Sequence, residues 1–254
     1  MSMSKIVAMY SGGAASHVSC MRVKPDVLLF ADTGEEHPSL YDAIEIGSRK
    51  LEVPLVKVGI TGGMDSAIDK HKSIPSSKIP FCSMDLKIKP CFDWLEANAK
   101  GATIIIGYTW DEMVRVKRTQ HRYAEKGYNA ISPLTEKPYV SHQEAVEIYT
   151  KEIGVQPLYE QGFPHNNCGG ACVKAGISQW KQLLKVDPKR FAKWKAREQK
   201  ISTLHGKPCT ILKRFGKPYP LLKLEEDVKA NIELPFSEWG GCSCFTAEEM
   251  EEHE

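Results

Sequence analysis

The chain is 254 residues long, with 34 Lys and Arg against 32 Asp and Glu, a formal net charge of +2. At 42% hydrophobic and 26% charged residues it is neither disordered nor collagen-like, and it can bury a sizeable core. Its longest apolar runs, Val27 to Ala31 and Ala102 to Ile106, stop far short of the ~20 residues of a membrane span, so no membrane partner is expected.

Short apolar runs alternate with helical patterns through the first part of the chain. Strands are expected at residues 5–10, 26–31, 55–58, 102–107 and 129–132, rich in Val, Ile and Leu without strict alternation, as in strands buried on both faces. Helices are expected at 15–22, 38–51, within 85–99, and at 112–126. A further helix starts at Ser141, where Glu144 completes a capping box. This alternation predicts an α/β fold: a doubly wound, mostly parallel five-stranded sheet with helices on both faces. Residues 59–80, punctuated by Gly62-Gly63 and Ile74-Pro75, read as a long loop that could act as a lid. Near residue 160 the texture changes, which divides the chain into a nucleotide-binding domain, 1–160, and a helical, cysteine-bearing C-terminal extension, 161–254. In the extension, residues 162–176 are rich in Gly, Asn and Cys, and helices are expected at 177–185 and 188–201.

The near-neutral net charge hides a segregation. Lys181 to Lys223 holds 13 Lys and Arg against two acids, a local charge of +11, and Glu225 to Glu254 carries a local charge of −9. Such a stretch can bind a polyanion, or the two stretches can neutralise each other. Trp180, Phe191, Trp194, Phe215 and Tyr219 are interleaved with these bases. They can stack nucleobases, which would make a nucleic acid the acceptor, or form a core stripe, since Phe191, Trp194 and Ile201 share one helix face.

No long apolar h-region follows Lys5, so a cytoplasmic location is expected. In a reducing compartment the eight cysteines point to metal or redox chemistry rather than disulfides. Cys168 and Cys172 flank Gly169-Gly170-Ala171, and Cys242 and Cys244 follow Gly240-Gly241. Two close pairs in glycine-containing loops can supply four thiolates to zinc or an iron–sulfur cluster. Cys20, Cys91 and Cys209 are isolated and read as small core residues. Of the histidines near these motifs, His17, His37, His142 and His165, none is a leading catalytic candidate, and His37 is the best placed.

Directly after the first strand comes Ser11-Gly12-Gly13-Ala14-Ala15-Ser16, opening a helix. Adjacent glycines let successive N–H groups point into one concavity, and the helix N-terminus favours an anion there. The second strand ends in Asp32-Thr33-Gly34, followed by His37-Pro38, at the edge where open α/β sheets bind ligands. Three further stretches lie in order: Cys82 with Leu86-Lys87 and Pro90, Gly107 with Glu112 and Arg115, and Pro133-Leu134 before the Ser141 helix. Together these motifs resemble the phosphoadenosine phosphosulfate reductase-like branch of the PP-loop ATP pyrophosphatase superfamily, over roughly residues 5–175.

The resemblance implies an enzyme that binds ATP or a related adenine nucleotide, with Mg2+, on Ser11, Gly12, Gly13, Ser16, Asp32, Thr33, Gly34, Lys87 and Gly107. Asp32 and Arg115 are the implied catalytic residues: Asp32 to position the nucleotide, directly or through magnesium, and Arg115 to offset phosphate charge. It also implies a 4Fe-4S cluster, with zinc as the alternative, held by four of Cys82, Cys168, Cys172, Cys242 and Cys244, and a sulfur- or electron-donor protein. The sequence departs from the family at Ala14 and Ala15, where an acid or a lysine is usual, at Thr109, where an arginine is usual, and in lacking the reductases' cysteine-bearing tail. The implied reaction is therefore cleavage of ATP between its α and β phosphates, adenylating an acceptor for sulfur transfer. The alternatives are reduction of a sulfonucleotide to sulfite, and a non-catalytic nucleotide- or nucleic-acid-binding protein.

Overall fold

The computed structural model describes residues 4–234. Five parallel strands form the central sheet: β1 (Ile6–Met9), β2 (Val27–Asp32), β3 (Leu55–Gly59), β4 (Thr103–Ile106) and β5 (Asn129–Ile131), in the order β3-β2-β1-β4-β5. This is the α/β, doubly wound sheet the sequence predicts. Its centre is apolar on both faces: Val7, Leu29 and Ile104 pack to one side, and Ala8, Leu28, Phe30 and Ile105 to the other. Winding reverses between β1 and β4, so a crevice opens at their C-terminal ends, the place where such sheets bind ligands.

The helices follow the predicted order. They are α1 (Ala14–Arg22), α2 (Pro38–Leu51), α3 (Gly63–His71), α4 (Phe81–Ser83), α5 (Lys89–Asn98), α6 (Met113–Glu125) and α7 (His142–Ile153). Helix α7 starts as its sequence dictates, with Ser141 Oγ accepting from the Glu144 amide and Glu144 Oε2 accepting from the Ser141 amide. The reading of residues 59–80 as a loop is corrected: they contain α3, whose Met64, Ala67 and Ile68 are buried. The two glycines masked this helix because they stand at its start, with Gly62 as the N-cap at φ +81°.

Beyond residue 156 come α8 (Pro157–Glu160), α9 (Ile177–Val186) and α10 (Pro188–His205), a hairpin of β6 (Leu212–Arg214) and β7 (Lys217–Tyr219), and α11 (Leu221–Lys229). Trp180, Phe191, Trp194 and Tyr219 are buried, and the two tryptophans meet edge to face at 5.9 Å between ring centroids. These aromatics are core; only Phe215, at the hairpin turn, is exposed. The extension shares one apolar cluster with Met64, Ile68, Phe81 and Leu86, which is where α3 spends its buried face. Cys20 and Cys91 are buried among apolar neighbours and Cys209 is half-buried, as core residues.

Part of the basic stretch forms ion pairs within the fold. Arg197 and Lys193 pair with Glu35, Arg197 also with Asp65, Lys200 with Asp69, and Lys195 with Glu225. These contacts tie α10 to the segment after β2, to α3 and to α11. No helix among the described residues is long and apolar enough to cross a membrane.

Candidate functional site

A cleft opens to solvent where β1, β2 and β4 end. Its floor is the glycine loop between β1 and α1. Gly12 takes φ +74°, and a Cβ there would stand 2.4 Å from Ile44 Cγ2, so only glycine makes this turn against α2. The loop is internally tied: Ser11 Oγ accepts from the Gly13 amide at 3.3 Å, and Ser16 Oγ donates to the Gly13 carbonyl at 2.8 Å. It is also braced from outside, by Tyr149 OH donating to the Gly12 carbonyl and Tyr159 OH accepting from the Ala14 amide. Helix α1 has no side-chain cap and no acidic residue in its first turn, so the positive end of its dipole is left uncompensated by the helix itself.

Gly107 closes the floor. A Cβ on it would lie 2.5 Å from the Ser16 nitrogen and 2.6 Å from its Cα, which are backbone atoms that cannot swing away. Gly107→Ala is expected to push the loop aside and cost about 1–3 kcal/mol, read as a fall in the denaturant midpoint. An unchanged midpoint would show that the loop is free to shift.

The walls carry Glu36, Lys87, Tyr108, Glu112, His142, Tyr159, His165, Asn166 and Asn167. Lys87 is nearly buried; its Nζ lies 3.6 Å from Glu36 Oε1 and 3.8 Å from Cys168 Sγ. Glu36 also accepts from the Cys168 amide. Burial holds His165 neutral, with its pKa down at about 4, and His142 and Arg115 push the same way. His142 and His165 meet edge to face, 5.4 Å apart.

Of the residues expected to bind nucleotide, Ser11, Gly13, Ser16, Lys87 and Gly107 line this cleft, and Gly12 sits beneath the loop. Asp32 is not among the lining residues. Its Oδ1 accepts from the Gly34 amide at 2.9 Å and from Tyr41 OH at 2.8 Å, so it shapes the turn after β2. Thr33 faces a second, smaller pocket instead. Arg115 forms an ion pair with Glu112 and stacks over Tyr108, 5.1 Å from the ring centroid, placing its charge behind the cleft wall. His37 caps α2 and is not a cleft residue; His142 and His165 are. Glu36, Asn166 and Asn167 were not singled out from sequence. For the two asparagines the signal was their place directly before Cys168.

The second pocket is lined by Thr33, Met64, Cys82, Ser83, Lys87, Cys168, Ala171 and Cys172, among others. The topology thus gathers three of the five expected ligand cysteines. The hydrogen bond with Cys172, and burial after it, push the Cys168 thiol well above its ordinary pKa. Among the described residues no three Cys, His, Asp or Glu side chains converge closely enough to hold a metal ion. Cys242 and Cys244, the other two expected ligands, lie outside the described residues. The two cleft carboxylates, Glu36 and Glu112, are both engaged by cations, so Mg2+ would be held mainly by phosphate oxygens.

No protein-family model matches the chain, and no curated protein sequence matches it. The sheet is compatible with a Rossmann-like fold, and its parallel order and five strands agree with the architecture the motifs imply.

Proposed function

We propose that this chain is an adenine-nucleotide-binding enzyme that cleaves ATP between the α and β phosphates and adenylates an acceptor. The observation that carries the reading is the uncapped glycine loop, braced by two tyrosines and by Gly107 at the sheet's switch point. Its concavity suits an anion, and the cleft opens beside it at the strand ends where such sheets bind ligands. The first-turn amides of α1 at Ala15 and Ser16 hold the pyrophosphate, joined by the Gly13 amide and the Ser11 and Ser16 hydroxyls as these exchange their bonds within the loop for bonds to phosphate. Lys87 supplies the ammonium that the loop lacks at Ala14 and Ala15, and Arg115 adds positive potential from behind the wall.

In the reaction an acceptor oxygen attacks the α phosphorus, the bond to the bridging oxygen breaks, and pyrophosphate leaves with the electron pair. A sulfur nucleophile then displaces AMP from the activated carbon. The thiols of Cys82, Cys168 and Cys172, one pocket away and sharing Lys87 with the cleft, suit its relay from a persulfide-bearing donor protein: the outer sulfur of a persulfide on one of them attacks the carbon as AMP leaves, and a second thiol frees the thiolated acceptor by forming a protein disulfide.

A non-catalytic nucleotide-binding role is the second reading, favoured by the engagement of Asp32 and Arg115 in structural contacts. Incubation with ATP and with phosphoadenosine phosphosulfate separates the readings. Pyrophosphate release is expected; sulfite release would make the protein a reductase, and ATP binding without either product would leave a binding protein. Iron content and the visible spectrum of anaerobically purified full chain test the cluster, and a colourless, iron-free protein removes it.

A further inference from the structure

The hairpin between α10 and α11 turns through Phe215-Gly216, and both residues have positive φ, +51° and +74°. Two such residues between paired antiparallel strands make a type I′ turn, where Asn-Gly is favoured because it enters the left-handed region at little cost. Phenylalanine is a poor residue there, since a bulky side chain strains a left-handed backbone. Burial does not compensate: the ring is 83% exposed, more than any other large apolar side chain among the described residues. Its support comes from the residue before it. The Arg214 guanidinium lies 5.4 Å from the Phe215 ring centroid and 5.6 Å from that of buried Tyr219, and it pairs with Asp227 at 3.4 Å. Phe215 thus rests against a cation anchored to α11, and the rest of the ring stands in solvent.

The surroundings are basic. From Gln199 to Leu224 the chain carries six Lys and Arg and no Asp or Glu. Lys200, Arg214 and Lys223 are paired with carboxylates. Lys207, Lys213 and Lys217 are exposed and have no ion-pair partner among the described residues. Lys213 and Lys217 stand on the two strands of the hairpin, each two residues from Phe215. An exposed ring between uncompensated ammonium groups fits one partner best: an unpaired nucleobase that stacks on the ring, with its phosphates to either side. A duplex keeps its base faces within its own stack, and a lipid surface demands more apolar area than one ring flanked by Arg214, Gly216 and Lys217. We infer that the β6–β7 hairpin binds single-stranded nucleic acid, with Phe215 stacking on a base and Lys213 and Lys217 meeting the neighbouring phosphates. None of these residues lines the cleft, so the inference stands whether or not the cleft takes ATP.

Fluorescence anisotropy of the full chain with labelled single-stranded RNA and DNA of about 12 nucleotides is the test, and its two arms show which sugar is preferred. Binding of at least one is expected, weakening about tenfold between about 50 mM and about 200 mM salt. Phe215→Asn is the decisive variant because asparagine suits the turn. Its denaturant midpoint is expected at or above that of the wild type, while its affinity for the oligonucleotide falls about tenfold or more. Lys213→Gln/Lys217→Gln is expected to flatten the salt dependence. Binding of neither oligonucleotide at low salt, or wild-type affinity in folded Phe215→Asn, overturns the inference. So does binding of phosphatidylserine vesicles or polyglutamate in place of both oligonucleotides, which would give the hairpin to a membrane or to an acidic protein.

Discussion

A Gly13→Val variant is expected to lose ATP binding by about 10²-fold or more while keeping its fold. Gly13 sits at φ −83°, and a Cβ there would meet only Ser11 Oγ at 3.4 Å and Tyr159 OH at 3.7 Å, so a side chain fits the backbone. The branched methyl groups of valine would occupy the concavity between Ser11, Ser16 and the first turn of α1. Two charge-assisted hydrogen bonds lost, at about 1.5–3 kcal/mol each, correspond to that factor. Calorimetry with ATP beside circular dichroism reads both halves of the prediction. Gly12→Val is the contrasting case. There the left-handed φ and the 2.4 Å approach to Ile44 predict loss of the fold itself. Undiminished affinity in Gly13→Val would remove the phosphates from this loop.

The sheet was legible because its information is local. Uninterrupted runs such as Val27 to Ala31 demand burial on both faces, and only helices alternating with parallel strands provide that. The glycine loop was legible for the same reason, since a strand, two glycines and a helix stand side by side in the chain. Residues 59–80 misled because Gly62 and Gly63 are the ordinary sign of a loop, and nothing local shows that Met64 and Ile68 meet Trp180 and Trp194 in one distant cluster. The cleft walls were legible only in part. Lys87 was found by motif, but Glu36 acquires its place only when the chain brings Cys168 back across the sheet, 132 residues away. Asp32 and Arg115 illustrate the reverse, residue types suited to phosphate chemistry whose neighbours Tyr41, Gly34 and Glu112 employ them otherwise.

The charge segregation was equally visible in sequence, and its structural use yields the strongest stability prediction. Arg197 is nearly buried, bonded to both oxygens of Glu35 and of Asp65, and stacked on Trp194 at 4.7 Å. It links three elements that are far apart in the chain. Burial alone would raise the Glu35 pKa, but hydrogen bonds and charge from Arg197 and Lys193 outweigh it and hold it below its ordinary value. The hydrogen bond from Arg197 lowers Asp65 too. Removing Arg197 leaves the Glu35 carboxylate buried with Lys193 as its remaining cation, so Arg197→Met is expected to cost about 3–5 kcal/mol near neutral pH. Because both carboxylates have depressed folded-state pKa values, their contribution is present above the ordinary carboxylate range and lost as pH falls through the folded values. The wild type should therefore lose stability on acidification more steeply than Arg197→Met, and the gap between them should narrow. Urea titrations at about pH 7 and about pH 3 measure both quantities. The double variant Arg197→Met/Glu35→Gln is expected to recover part of the loss, since no buried charge is then left uncompensated. A double variant as unstable as the sum of the two single variants would show that Glu35 and Arg197 are not coupled, and that α10 is held by its apolar face of Phe191, Trp194 and Ile201.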